Sequence, residues 1–313
     1  MTSHSIISRL TCGEHLLLDG ATGSELQRRG VFVDKGVRED LTGPWSATAV
    51  GDAPEVIRAI HEDYLRAGAD IVTTNSFWTN RPMLGLVGLA DKAEEYTRLA
   101  AEIACEARDR LNPDAFVAGS MCPPRSGNVA KELNDQSKIL ADAGVDLLLL
   151  ELVPTVAESA EAVDAVSHTD LPIFLGNRVT GNGTIRTGLG VDTDGAWGID
   201  TGETFGQLME ALNGRRVDAV LPMCSKPEEI SVALPKLRQV YDGPIGAYGN
   251  LGYQRGPRQF PRIIDPSDYL PDRYAQFASE WIDMGAQVVG GCCSSRPQHI
   301  AALRPLVDAV NRS

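Results

Sequence analysis

Eight short apolar runs recur along the chain, each followed by a segment of helical periodicity, and this alternation restricts the fold more than any other feature. The runs lie at 16–18, 70–74, 115–119, 145–150, 172–176, 217–221, 244–248 and 286–289. They are apolar nearly throughout rather than at every second position, as strands covered on both faces of a parallel sheet must be. The segment at 54–67 typifies the helices: Pro54 opens it, Val56, Ile57, Ile60, Tyr64 and Leu65 share a face, and Gly68 stops it. Eight strand–helix units in about 300 residues predict an α/β fold, a single-domain (β/α)8 TIM barrel spanning 1–313. A doubly wound open sheet is the competing architecture. The segments from 177 to 202 and from 249 to 270 exceed the usual ~2–6 residues of such connections and are expected to be lids or site walls.

In a barrel of this kind the active site gathers at the C-terminal ends of the strands. Asp19, Thr74, Asn75, Glu151, Cys224, Tyr248, Asn250, Cys292 and Cys293 all stand there. The last strand ends in Gly290-Gly291, which let backbone or ligand approach closely, and then presents Cys292 and Cys293. Thiolates are soft ligands with zinc as their commonest simple partner, and two of them do not hold it. Cys224, after the sixth run, is the candidate third ligand, since strands six and eight are near neighbours around a barrel. The alternative is a tight turn with two inert small residues; a third cysteine at a strand end favours the metal. Three protein ligands leave a fourth position open, as in catalytic zinc sites.

Thiolate donors make zinc a poor activator of water. A substrate thiol bound there loses its proton yet stays nucleophilic. That suits attack by a thiol on an electrophilic carbon, methyl transfer for example. Asp19 and Glu151 form a pair of anions suited to an ammonium group, and Glu151 at the end of an apolar strand is costly to bury without a partner. Gly20 and the backbone N–H groups of 20–23 can face a carboxylate. Trp45, Phe77, Trp78 and Trp197 could build an aromatic cage for a methylated cation, with core or loop packing as the alternative for each. Cys12, Cys105 and Cys122 read as ordinary residues, His61 as a helix-face residue and His299 as a helix-start residue.

Forty-two acidic against 29 basic residues give a net charge of -13, which argues against a nucleic-acid partner. Six cysteines in 313 residues are not a disulfide framework. The start carries no basic segment followed by an apolar one, and no apolar run is long enough to span a membrane. A cytoplasmic enzyme of small molecules is expected, with a homo-oligomer compatible with the sequence.

Asp19-Gly20-Ala21-Thr22-Gly23-Ser24-Glu25-Leu26, Thr74-Asn75-Ser76-Phe77, Glu151 before Val153-Pro154, and Gly290-Gly291-Cys292-Cys293 with Pro297 and His299-Ile300 resemble the homocysteine S-methyltransferase family. The likeness runs from about 14 to 308 in the family's order. It implies a (β/α)8 barrel, zinc on Cys224, Cys292 and Cys293, and methylation of homocysteine to methionine with Asp19 and Glu151 holding the amino group. Met223 stands where the family usually has Asn, and Tyr248-Gly249-Asn250-Leu251-Gly252 replaces a Tyr-Pro-Asn turn. Leu152 and Trp78 stand where betaine-using members carry Tyr. Glu151-Leu152-Val153-Pro154 is closer to members that use S-methylmethionine or methylate selenocysteine. S-Methylmethionine is therefore the favoured donor. Betaine, dimethylsulfoniopropionate or a corrinoid or folate carrier as donor, another thiol or selenol such as selenocysteine as acceptor, and a non-catalytic zinc- or thiol-binding role are the alternatives.

Overall fold

The computed structural model describes residues 5–37, 43–187, 199–255, 261–263 and 268–312, with 253–255 and 261–263 as backbone only. Each apolar run forms a strand: Leu16–Leu17, Ile71–Thr73, Phe116–Met121, Leu147–Leu150, Ile173–Val179, Ala219–Pro222, Ile245–Gly249 and Ala286–Gly291, counted below as strands one to eight. These eight are parallel to one another, and their order is one, eight, seven, six, five, four, three, two. A parallel bridge between Leu18 and Ile71 joins strand one to strand two, and Asp19 N–H donates to Ile71 O at 2.9 Å. Strand one thus pairs on both sides. The sheet closes into the expected barrel, and the open doubly wound arrangement is excluded.

Closure explains the apolar runs. Alternate residues divide between two clusters. Leu16, Leu18, Ile71, Leu147, Leu149 and Val288 fill the barrel. Leu17, Val72, Leu148, Leu150 and Val289 pack against helices such as Pro54–Arg66 through Ile57 and Ile60. Both faces lose water, so both must be apolar. The polar start hides a helix, Ile6–Thr11, capped by the Ser5 hydroxyl. Its Ile6 and Leu10 join the inner cluster, and Arg9 lies 5.5 Å over the Phe116 ring at the start of strand three. The helix therefore plugs the N-terminal end and leaves the other end for a site.

Strand five runs past Gly176 to Val179 and pairs antiparallel with Ile185–Arg186, so residues expected to begin a loop are sheet. The end of strand six holds it there: Met223 N–H donates to Asn177 O, and Val179 N–H to the Ser225 hydroxyl. Past strand seven, Tyr253–Arg255 and Pro261–Ile263 form a second antiparallel pair. Residues 188–198, with Trp197, 256–260 and 264–267 of the expected lids lie outside the described residues. Among the described residues no helix is long and apolar enough to cross a membrane.

Candidate active site

Cys224 follows strand six with φ at 44°, its N–H donating to Tyr248 O at 2.9 Å. Cys292 N–H donates to Gly249 O at 2.8 Å, and Cys293 O accepts from Leu251 N–H at 2.9 Å. Backbone bonds to strand seven and its following turn thus aim all three thiols inward. Cys224 Sγ lies 3.7 Å from Cys293 Sγ, Cys292 Sγ lies 4.0 Å from Cys293 Sγ, and all three sulfurs fall within 4.8 Å of one another. Tetrahedral zinc with bonds of about 2.3 Å sets its sulfurs about 3.8 Å apart. The trio therefore fits that ion. Its thiols are free, so no disulfide competes.

The three thiols do not hold their protons equally. The thiols of Cys292 and Cys293 bond to Cys224 and hold its pKa well below the ordinary thiol value, and the same contacts push Cys292 and Cys293 up. Asn250 adds its amide N–H at 3.7 Å from Cys224 Sγ, and Arg178 Nε donates to Cys224 O at 3.2 Å. Among the described residues, the non-glycine residues with positive φ are Trp45, Leu152, Cys224 and Ser294. Three line the cavity beside the sulfurs and the fourth follows Cys293. Such backbone costs on the order of 1–3 kcal/mol per residue and persists where surrounding structure imposes it, most often at functional sites.

Asp19 and Glu151 open onto the same cavity. Asp19 accepts from Thr73 N–H at 2.7 Å and from the Thr73 hydroxyl at 2.8 Å. Glu151 accepts from the Ser120 hydroxyl and, at 3.0 Å, from the Tyr248 hydroxyl. Burial pushes Asp19 up to about 8 against those bonds, with the Glu151 charge adding to the rise. Burial likewise pushes Glu151 to about 7, opposed by Ser120 and Tyr248. Two buried acids with no cation paired to them among the described residues are a site waiting for one.

The other expected residues divide into walls and supports. Gly20 lies under Tyr64 and Ser295, where an added Cβ would come within 2.7 Å of both hydroxyls. The Ala21 N–H, expected to be open to a carboxylate, is taken by the Ser295 hydroxyl. Thr74 accepts from Ser120 N–H, and Asn75 exchanges two bonds with Ser46, fixing the segment that carries Trp45. Asn250 borders the sulfurs from behind and is not part of the cavity wall. Trp45, Phe77 and Trp78 do line it, but Arg125 sits with Cζ 4.7 Å over the Trp78 ring. The Trp78 face is thus covered by a guanidinium rather than left open as a cage wall.

Cys105 and Cys122 stay out of the site, bonding weakly to carbonyls of 143, 144 and 123. His299 bonds Arg296 N–H at the helix start, while His61 is fully buried. Sequence reasoning missed Arg178, Arg125, Thr73 and Ser120, and it marked Met223 only as a departure from the family without foreseeing its contacts. Arg178 was hidden because strand five was ended too early. Met223 Sδ, standing where an Asn was expected, accepts from Leu152 N–H and from the Tyr248 hydroxyl, each at 3.2 Å.

Comparison with known proteins adds an independent line. The homocysteine S-methyltransferase family matches residues 16–307. Homocysteine S-methyltransferase 1 of Arabidopsis thaliana is 27% identical, with 93% of each chain covered. Selenocysteine methyltransferase of Astragalus bisulcatus is also 27% identical, covering 95% of this chain and 94% of the relative. Among solved structures, the metallated form of the homocysteine methyltransferase MmuM from Escherichia coli shares the fold at a TM-score of 0.73. It is 23% identical, with 96% of this chain and 99% of that one covered.

Proposed function

The chain belongs to the homocysteine S-methyltransferase family, and from that premise we propose that it transfers a methyl group from S-methylmethionine to homocysteine at a zinc site. The observation that carries this reading is the meeting of three sulfurs at ligand spacing and a buried acid pair in one cavity. Cys224, Cys292 and Cys293 would hold the zinc, which when bound supplies the acidity that keeps the acceptor thiol deprotonated at neutral pH. Asp19 and Glu151 take the homocysteine ammonium, each already oriented by hydroxyl or N–H donors on its other side. With its ammonium and sulfur both fixed, homocysteine presents a single attack direction, which is where proximity lowers the barrier.

The acceptor thiolate attacks the donor methyl carbon. The donor sulfur–methyl bond breaks, its electron pair stays on that sulfur, and the sulfonium charge disappears. The new thioether and the leaving thioether are both methionine, and the acceptor's thiol proton goes to solvent. Opposite charges vanish along this path, so a dry site favours it. Asp19 at 2%, Cys224 at 7% and Glu151 at 8% exposure provide one. Selenocysteine is the second acceptor to consider, because the Astragalus bisulcatus relative is as similar as any of those described.

Zinc-loaded protein given homocysteine and S-methylmethionine is expected to form two methionines per donor consumed. Cys224→Ser is expected to lose both the bound zinc and the turnover while keeping its circular dichroism. If no methionine forms from S-methylmethionine, betaine or dimethylsulfoniopropionate, the reading is wrong.

A further inference from the structure

Arg125 stands on the segment after strand three and lines the wall that Phe77 and Trp78 form. That segment is fastened to the wall. Cys122 N–H donates to Phe77 O at 3.0 Å, the Trp78 indole N–H to Pro123 O at 3.4 Å, and the Asn80 amide to Cys122 O at 3.4 Å. The guanidinium lies over Trp78, with Cζ 4.7 Å from the ring centre. Its Nε is buried without a hydrogen-bond partner, and among the described residues no carboxylate pairs with it. A guanidinium carries five N–H donors in a rigid fork matched to a carboxylate. Held over the ring, half-buried and without a carboxylate partner among the described residues, this one is arranged to receive an anion.

The rest of the cavity narrows what that anion belongs to. The sulfur end and the acid pair are places for a metal, a thiol and an ammonium. Arg178 lines the cavity as well, but its Nε is committed to Cys224 O at the sulfur end. A methyl donor must bring its cationic centre to the acceptor sulfur. A donor that is only a cation would meet a guanidinium on the aromatic wall, where the Trp78 face is already taken. A donor with a carboxylate at its other end gains a partner there instead.

We propose that Arg125, held on Trp78, is the carboxylate anchor of the donor subsite, and that the site selects zwitterionic donors, sulfonium or quaternary ammonium compounds bearing a carboxylate, over bare methylated cations. The proposal rests on the methyl-transfer reading for its geometry, but its test needs no turnover. Binding of dimethylsulfoniopropionate and of its methyl ester to the zinc-loaded protein is measured by calorimetry without homocysteine. The acid is expected to bind about 10- to 100-fold tighter than the ester, the worth of a charge-assisted pair. Arg125→Gln is expected to remove that advantage by weakening the acid while the ester, freed of a like charge, binds as well as before or better; Arg125→Lys, which keeps the charge without the fork, recovers part of the advantage. A wild-type ratio near one, a ratio that survives Arg125→Gln, equal weakening of both probes, or binding of neither overturns the proposal. Absence of methionine formation with a preserved acid-to-ester ratio would instead sink the catalytic reading and leave the anchor standing.

Discussion

At the scale of single residues, the acid pair makes the sharpest demands. Burial raises Asp19 to about 8 and Glu151 to about 7, so each holds a proton below those values. A protonated acid cannot pair with an ammonium, so the KM for homocysteine is expected to climb as pH falls from about 8 towards 6. A KM that stays flat across that window would place the ammonium elsewhere. The same shift bears on stability. The folded-state pKa of Asp19 lies above its ordinary value of 3.8, so the folded chain binds the extra proton. That contribution is complete below about 4 and is lost as pH rises through about 8. Asp19→Asn, which does not titrate, is therefore expected to melt higher than the parent at pH 9, by a smaller margin at pH 6, and about the same near pH 4. Its kcat/KM for homocysteine should fall about 100-fold, because the amide fits Thr73 but carries no charge. Asp19 and Glu151 were legible in the sequence because each ends an apolar run. Their partners Thr73 and Ser120 were not, since a hydroxyl inside a strand has no local mark. Only the closure of strand one on strand two, and of three on four, sets them opposite the acids.

At the scale of elements, the mouth of the barrel depends on how strands seven and eight are joined. Tyr274, on helix Pro271–Asp283, accepts from Gly249 N–H at 2.9 Å and donates to Gly290 O, one ring tying both strand ends. Gly246 permits the same closeness lower down, where a Cβ would stand 2.7 Å from Val288 O. Tyr274→Phe leaves a buried N–H and a buried carbonyl unpaired and is expected to cost about 1–3 kcal/mol in chemical denaturation. It should also weaken zinc binding, since Cys292 and Cys293 directly follow the loosened strand; a variant with parental metal affinity would mean that the thiols are aimed by other contacts. The elements themselves were largely readable, with Pro54 and Gly68 bracketing a helix as expected. The extension of strand five was not readable. Asn177 and Arg178 look like loop, and only bonds from Met223 and Ser225 make them strand.

For the whole molecule, closure of the barrel brings together three cysteines that lie far apart along the chain. The sulfurs lie at ligand spacing past the ends of strands six and eight, on backbone tied by hydrogen bonds to strand seven and its following turn. Chelation is therefore expected to lower the melting temperature by a few degrees, as loss of a ligand specific to the folded state requires, with far-ultraviolet circular dichroism unchanged. Collapse of the helical signal on chelation would mean that the metal holds the fold. The sequence alone determined the eight units, their order and which reactive side chains end their strands. Those are local properties, set by where an apolar run stops and by the residues next to it. Only the tertiary structure decided that Cys224 meets Cys293 across 69 positions of chain, that Tyr248 serves Glu151, and that Arg125 covers Trp78. Each of these depends on register and on closure of the ring, and no stretch of chain carries the register of its distant neighbour.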